Sequence, residues 1–156
     1  MKKLKTIALL TLLSVSSAFA QDDNSVRNAI NALQGISNNM SHEEAITILT
    51  SYATNDTNAV AMNALGNVYA SGIGTDMDMN KAVHWYEMAA ANGMLIAYHN
   101  LGMIFKNATN GVEQDFTKAC SYFSKGAAEG SPVCNYNYGF MLYKGLGCSQ
   151  DYGKAV

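Results

Sequence analysis

Basic clusters and long hydrophobic runs are both missing from most of this chain. After residue 21 nothing resembles a membrane-spanning segment, which requires about 20 mainly apolar residues. The ten Lys and Arg residues form no stripe beyond the first five positions. Nucleic acids require clustered Lys and Arg, and anionic lipids attract basic segments. We therefore expect no nucleic-acid partner and no insertion into a membrane by the mature protein.

Catalytic and metal-binding motifs are missing as well. Serine-based β-lactam chemistry uses Ser-x-x-Lys, Ser-Asp-Asn and Lys-Thr-Gly elements, but Ser121 is followed three residues later by Ser124. No Ser-His-Asp grouping, pair of catalytic carboxylates or phosphate-cradling glycine loop stands out. His42, His84 and His99 fall in three separate predicted helices without a neighbouring Cys pair. The prediction is a protein that is not an enzyme and has no metal and no cofactor.

The first twenty residues have the pattern of a bacterial signal peptide. Three lysines precede an uncharged apolar stretch at residues 7–15, and Ala18-Phe19-Ala20 supplies the small-x-small cleavage pattern. We predict cleavage after Ala20 and a periplasmic or secreted protein; the alternative is an uncleaved anchor helix. Loss of the three lysines leaves seven basic against twelve acidic residues, which gives the mature chain a net charge of −5.

Cysteine is scarce and odd in number, with Cys120, Cys134 and Cys148 spaced 14 residues apart. Export permits disulfides, yet an odd count leaves at least one thiol free or bound to another chain. The spacing is unlike the paired C-x-x-C of zinc sites. Two interpretations remain at this point, small apolar core residues or one structural bridge.

What the sequence does contain is a repeat of 36 to 37 residues. The pair Leu65-Gly66 recurs as Leu101-Gly102 and then as Tyr138-Gly139, and a Lys-Ala pair recurs at residues 81, 118 and 154. A period in this range indicates stacked helix-turn-helix units. The sequence therefore predicts an all-α solenoid of antiparallel helix pairs.

Each recurring position has a physical role in the predicted helix pair. A buried stripe at i, i+4 and i+8 lines each first helix: Ala61, Leu65, Tyr69; Ala97, Leu101, Phe105; Cys134, Tyr138, Leu142. A mid-helix glycine costs about 1 kcal/mol relative to alanine, so its recurrence indicates that another helix passes too close for a side chain.

Turn and cap residues complete the predicted repeat. Glycine pairs mark the turn after the first helix in the first and third copies, whereas the middle copy has Ala108 at the first glycine position, followed by Asn110-Gly111. Aspartates cap the second helices, and glycines end two of them. These residues are Asp78, Asp115 and Asp151, then Gly93 and Gly130.

The pattern divides the chain into three segments. Residues 1–20 are the signal peptide, and residues 21–58 are N-terminal capping helices of a degenerate repeat, because terminal repeats are atypical. Residues 59–156 hold about two complete repeats and a third that stops soon after Asp151. We expect either that the sequence is a fragment or that the natural protein continues.

Residues 61–93 resemble the Sel-one-like repeat family, which is related to tetratricopeptide repeats. They match its pattern nearly throughout: Ala61, Leu65-Gly66, Tyr69, Gly72-x-Gly74, Asp78, Lys81-Ala82, Trp85-Tyr86, Ala89-Ala90, Gly93. The resemblance implies a right-handed superhelix that acts as an adaptor or scaffold, and no single activity. Because cysteine-rich relatives bind or hydrolyse β-lactams, it also implies an alternative, a cell-wall-related or β-lactam-recognising protein.

The predicted binding site lies on the concave face of the solenoid, which the first helices normally form. Helical geometry directs three positions per repeat there, three residues before the glycine and one and four after it. They are Asn63, Asn67, Ala70; His99, Met103, Lys106; Tyr136, Phe140, Tyr143. The face would grade from amide-rich to aromatic, which suits a protein or peptide partner. The alternative is that the three aromatic residues pack on a following repeat.

One cysteine pairing is favoured by the predicted geometry. Cys120 falls near the start of the second helix of the second repeat, and Cys148 follows the next, antiparallel helix. Those two helix ends approach each other, whereas Cys134 begins the same helix at its opposite end. If a bridge forms, Cys120–Cys148 is the expected one. Partner identity and oligomeric state are left open.

Overall fold

The computed structural model describes residues 24–155, and these residues fold into helices without any strand. Helix α1 covers residues 24–33. The helices that follow are α2 (His42–Asn55), α3 (Ala59–Ser71), α4 (Met79–Ala91), α5 (Leu95–Asn107), α6 (Phe116–Ala128) and α7 (Pro132–Lys144). The predicted all-α helical-repeat architecture is confirmed. The predicted signal peptide lies outside the described residues.

Aspartate side chains define where the second helices begin. The Oδ1 atom of each aspartate accepts a hydrogen bond from the backbone amide three residues later, at 3.0 Å for Asp78 and 2.9 Å for Asp115. Such bonds satisfy amides that have no partner within the helix. Asp151 makes the same contact with the Lys154 amide at 3.1 Å, although the described residues after it form a turn rather than a helix.

Helices that follow one another in sequence pack against each other, from α2 on α3 through α6 on α7. The predicted stripe supplies much of the core, and Ala61, Leu65, Ala97 and Leu101 are fully buried. Tyr69 and Tyr138 are only partly buried, so the prediction that they are buried was wrong in degree. Tyr69 lies at the edge of the core, with the Lys81 Nζ 5.2 Å from its ring centroid.

The mid-helix glycines lie where an aromatic ring of the following helix meets the first helix. A Cβ atom added to Gly66 would stand 2.5 Å from the Tyr86 ring, and one added to Gly102 would overlap the Phe123 ring. The Tyr86 hydroxyl donates a 2.7 Å hydrogen bond to the Asn67 side chain, and burial raises the pKa of Tyr86 to about 12. The prediction that another helix passes too close for a side chain is confirmed for both glycines.

A disulfide joins Cys120 of α6 to Cys148 of the loop after α7, with the α-carbons 6.2 Å apart. This is the pairing that the sequence favours. Gly147, with φ of 69°, lets the loop run directly against the Phe116 backbone at the start of α6. Cys134 is free and buried against Gly126, and burial raises the pKa of its thiol.

The turn after α5 contains a left-handed residue that is not glycine. Ala108 caps α5 with φ of 54° and ψ of 49°, where the other repeats place Gly72 and Gly145 with φ of 71° and 66°. An L-residue in this region costs roughly 1–2 kcal/mol, which glycine avoids. The middle repeat therefore carries local backbone strain that its neighbours lack.

We predict that Ala108→Gly stabilises the protein by up to about 1 kcal/mol, because the relief of strain exceeds the entropy that glycine adds to the unfolded chain. Urea unfolding followed by circular dichroism measures the change. Gly145→Ala is the matched control, since its added Cβ meets nothing closer than 3.4 Å, and it should destabilise the protein. A destabilising Ala108→Gly would contradict this account of the turn.

Candidate functional site

The first helix of each repeat leaves one side uncovered by its neighbours. We name the exposed side chains of α3, α5 and α7 the first-helix face. All nine positions predicted on the concave face are at least partly exposed. Among these nine, the three aromatic side chains are well exposed, Tyr136 at 76%, Tyr143 at 53% and Phe140 at 38%.

The amide-rich part of this face is linked between repeats by side-chain contacts. The Asn100 Nδ2 donates to the Asn63 Oδ1 at 3.4 Å, which joins α5 to α3. Asn67, which accepts the Tyr86 hydroxyl bond, is itself exposed. A hollow of about 250 Å³ lies between these helices, and its lining includes Ala70, Met103 and the His99 ring.

The surroundings of His99 favour the neutral form of its ring. Burial first, and the nearby Lys106 ammonium second, lower the pKa of its imidazole. Its Nδ1 lies 3.5 Å from the Asn137 Nδ2, which can only donate, so that ring nitrogen is the acceptor. His99 thereby ties α5 to α7, as Asn63 and Asn100 tie α3 to α5.

The aromatic part of the face surrounds a hollow of about 430 Å³ on α7. Its lining includes Gly139 and the three rings of Tyr136, Phe140 and Tyr143. A Cβ atom added to Gly139 would lie 3.1 Å from the Ala155 carbonyl oxygen. Among residues 24–155 no ring covers Gly139 as rings cover the two preceding glycines. The structure brings the three predicted aromatic residues together, and the alternative that they pack on a following repeat stays a prediction.

A row of exposed aliphatic residues on this face was missed by the sequence reasoning. Val60, Ile96 and Val133 are 47%, 39% and 36% exposed. Each lies six residues before the repeat glycine. Because an α-helix has 3.6 residues per turn, this position is on the same side of the helix as the predicted positions. The signal that could have found them is a β-branched aliphatic residue at one repeat position that the buried stripe does not use.

Two further classes of site are not seen in the part of the chain that the structure describes. No three His, Cys, Asp or Glu side chains there lie close enough to hold a metal ion. Between residues 24 and 155 there is also no helix with the length and hydropathy of a membrane span.

Comparison with known proteins identifies repeats at the same positions as the structure does. The Sel1 repeat model matches residues 59–94, 95–131 and 132–156. A sel1-like repeat-containing protein, L21, of Acanthamoeba polyphaga mimivirus is 34% identical over 71 residues, which are 46% of this chain and 13% of that protein.

Two solved structures are similar in fold. A Sel1 repeat protein from Oxalobacter formigenes has a TM-score of 0.71 at 26% identity, covering 86% of this chain and 53% of its own. The c5321 protective antigen of uropathogenic Escherichia coli strains, with an SLR fold, has a TM-score of 0.67 at 25% identity, covering 72% of this chain and 24% of its own. The chain thus spans between about an eighth and about half of these relatives' lengths. The helix pairs, their glycines and these matches together show that the chain belongs to the Sel1 repeat family, whose members are generally protein-interaction scaffolds.

Proposed function

We propose that this protein is a non-catalytic scaffold that binds a protein or peptide partner through the first-helix face, on the concave side of the solenoid. The observation that carries the proposal is the group of exposed rings on α7, Tyr136, Phe140 and Tyr143, around one hollow. Exposed contiguous apolar surface is typical of interaction sites, and aromatic residues and Met are enriched at the cores of interfaces. Met103, which lines the other hollow of this face, adds an adaptable apolar contact.

The same proposal places the protein in the bacterial envelope. Its support is the sequence of residues 1–20, with a basic start, an apolar stretch and a small-x-small end. N-terminal sequencing of the protein purified from its native cells tests this location. A mature chain that starts at Gln21 is the expected result, and a chain that retains Met1 would contradict it.

The binding proposal predicts that Phe140→Ala combined with Tyr143→Ala weakens binding of a native partner at least tenfold. Truncation of aromatic residues at an interface often costs about 2 kcal/mol or more, and about 1.4 kcal/mol corresponds to a tenfold change in Kd. The partner is captured from the native envelope fraction on the full-length protein, and its Kd is measured by surface plasmon resonance.

Ile36→Ala combined with Met77→Ala is the matched control. These side chains are 69% and 52% exposed, and both lie outside α3, α5 and α7. The control should leave binding unchanged, and both double variants should keep wild-type helicity by circular dichroism. Equal binding by the wild type and the Phe140/Tyr143 variant would refute a role for this face.

A further inference from the structure

The charged residues are divided unequally between the first-helix face and the rest of the protein. Helices α3, α5 and α7 contain no Asp or Glu, and their charged residues are Lys106 and Lys144. Every carboxylate of the described residues lies on α2, on α4 or in a loop. An acidic protein therefore presents a face that is free of carboxylates and carries two cations.

The two lysines of the face differ from most other lysines in their partners. Lys81, Lys118 and Lys154 each form an ion pair with the capping aspartate three residues earlier, at 3.4, 3.6 and 3.7 Å. Within residues 24–155, neither Lys106 nor Lys144 forms an ion pair.

Like Lys81 and Lys118, these two lysines lie over aromatic rings, but they have no aspartate partner in the described part of the chain. The Lys106 Nζ is 5.2 Å from the Phe140 ring centroid, and the Lys144 Nζ is 5.2 Å from that of Tyr143. Cation–π contacts hold the ammonium groups beside the exposed rings and leave them available to a carboxylate from outside.

An aliphatic edge runs opposite these cations on the same helices. Val60, Ile96 and Val133 lie in the first turn of α3, α5 and α7, whereas Lys106 and Lys144 lie in the last turn of theirs. Val133 and Lys144 are eleven residues apart, and a rise of about 1.5 Å per residue separates them by roughly 16 Å along the helix axis. One segment that runs along the helices spans this distance in about eleven residues if it is helical, so it can contact both edges.

We propose that the first-helix face binds an acidic amphipathic segment of a partner protein, a proposal that rests on the scaffold function proposed above. The carboxylates of this segment lie against Lys106 and Lys144, and its apolar side chains lie against Phe140 and the row of Val60, Ile96 and Val133. Charge complementarity selects this partner, because a basic segment would meet two cations and no carboxylate on the face.

A peptide selection tests the proposal directly, because it requires no purified partner protein. Random 16-residue peptides displayed on phage are selected on the immobilised full-length protein, and the Kd of each enriched peptide is measured by fluorescence anisotropy. We expect enriched peptides to carry a net negative charge together with aliphatic or aromatic residues. Binding should weaken as NaCl rises from about 50 to about 500 mM, because salt screens exposed charges.

Charge reversal supplies the specific comparison. Lys106→Glu combined with Lys144→Glu should raise the Kd of these peptides at least tenfold. Lys81→Glu combined with Lys125→Glu is the control, because it changes the net charge of the protein by the same amount but on the second helices α4 and α6. This control should change the Kd less than threefold. Enriched peptides without net negative charge, or equal effects of the two double variants, would overturn the proposal.

The two proposals fail in different ways in this experiment. If the peptides lose affinity for the Phe140→Ala, Val133→Ser variant but carry no excess of acidic residues, the scaffold function stands and the acidic partner is wrong. If no selected peptide responds to any substitution on the first-helix face, both the acidic partner and the proposed binding surface are wrong.

Discussion

The contact between a mid-helix glycine and an aromatic ring sets how closely the helices of each pair approach. Gly66 receives the ring of Tyr86, and Gly102 receives the ring of Phe123, which is fully buried. A glycine within a helix costs about 1 kcal/mol relative to alanine, whereas full burial of a phenylalanine contributes about 1.5–3 kcal/mol. The free energy gained by burying the ring thus exceeds the helix-propensity cost of the glycine, and this holds in two successive repeats.

This packing explains why function is expected on the surface rather than in a cavity. Each first helix uses one side for the ring of its own second helix and another for the preceding repeat, which leaves a third side to solvent. Inter-repeat contacts, such as that between Asn100 and Asn63, hold these exposed sides in register. The Cys120–Cys148 disulfide ties the loop after α7 to α6, and α7 carries the exposed rings. The face is therefore presented on rigid elements.

The fold was predictable because its determinants are local and recur. Gly66 and Gly102, with the capping aspartates, mark the same positions in successive repeats, and Ala108 was recognised as the residue that replaces the first turn glycine of the middle repeat. The bonds between Asn63 and Asn100 and between His99 and Asn137 were not predicted. They depend on the rotation of one repeat relative to the next, which the local pattern does not encode.

The candidate site was predictable only in part. Helical geometry gave the aromatic residues of α7, but the row of Val60, Ile96 and Val133 was missed because only three offsets from the glycine were considered. Tyr69 and Tyr138 were expected to be buried with their neighbours at the same repeat position. Partial exposure of these tyrosines depends on the packing at the edge of the core, which residue type alone does not reveal.

A double-mutant cycle at Gly102 and Phe123 tests the central claim most directly, with unfolding free energies from urea titration. In the wild-type background, Gly102→Ala should destabilise the protein by about 1–3 kcal/mol, because the methyl group overlaps the ring. In the Phe123→Val background, which lacks the ring atoms at that point, the same change should stabilise it by up to about 1 kcal/mol through helix propensity. An effect of the same sign and size in both backgrounds would contradict the claim that the glycine is there to admit the ring.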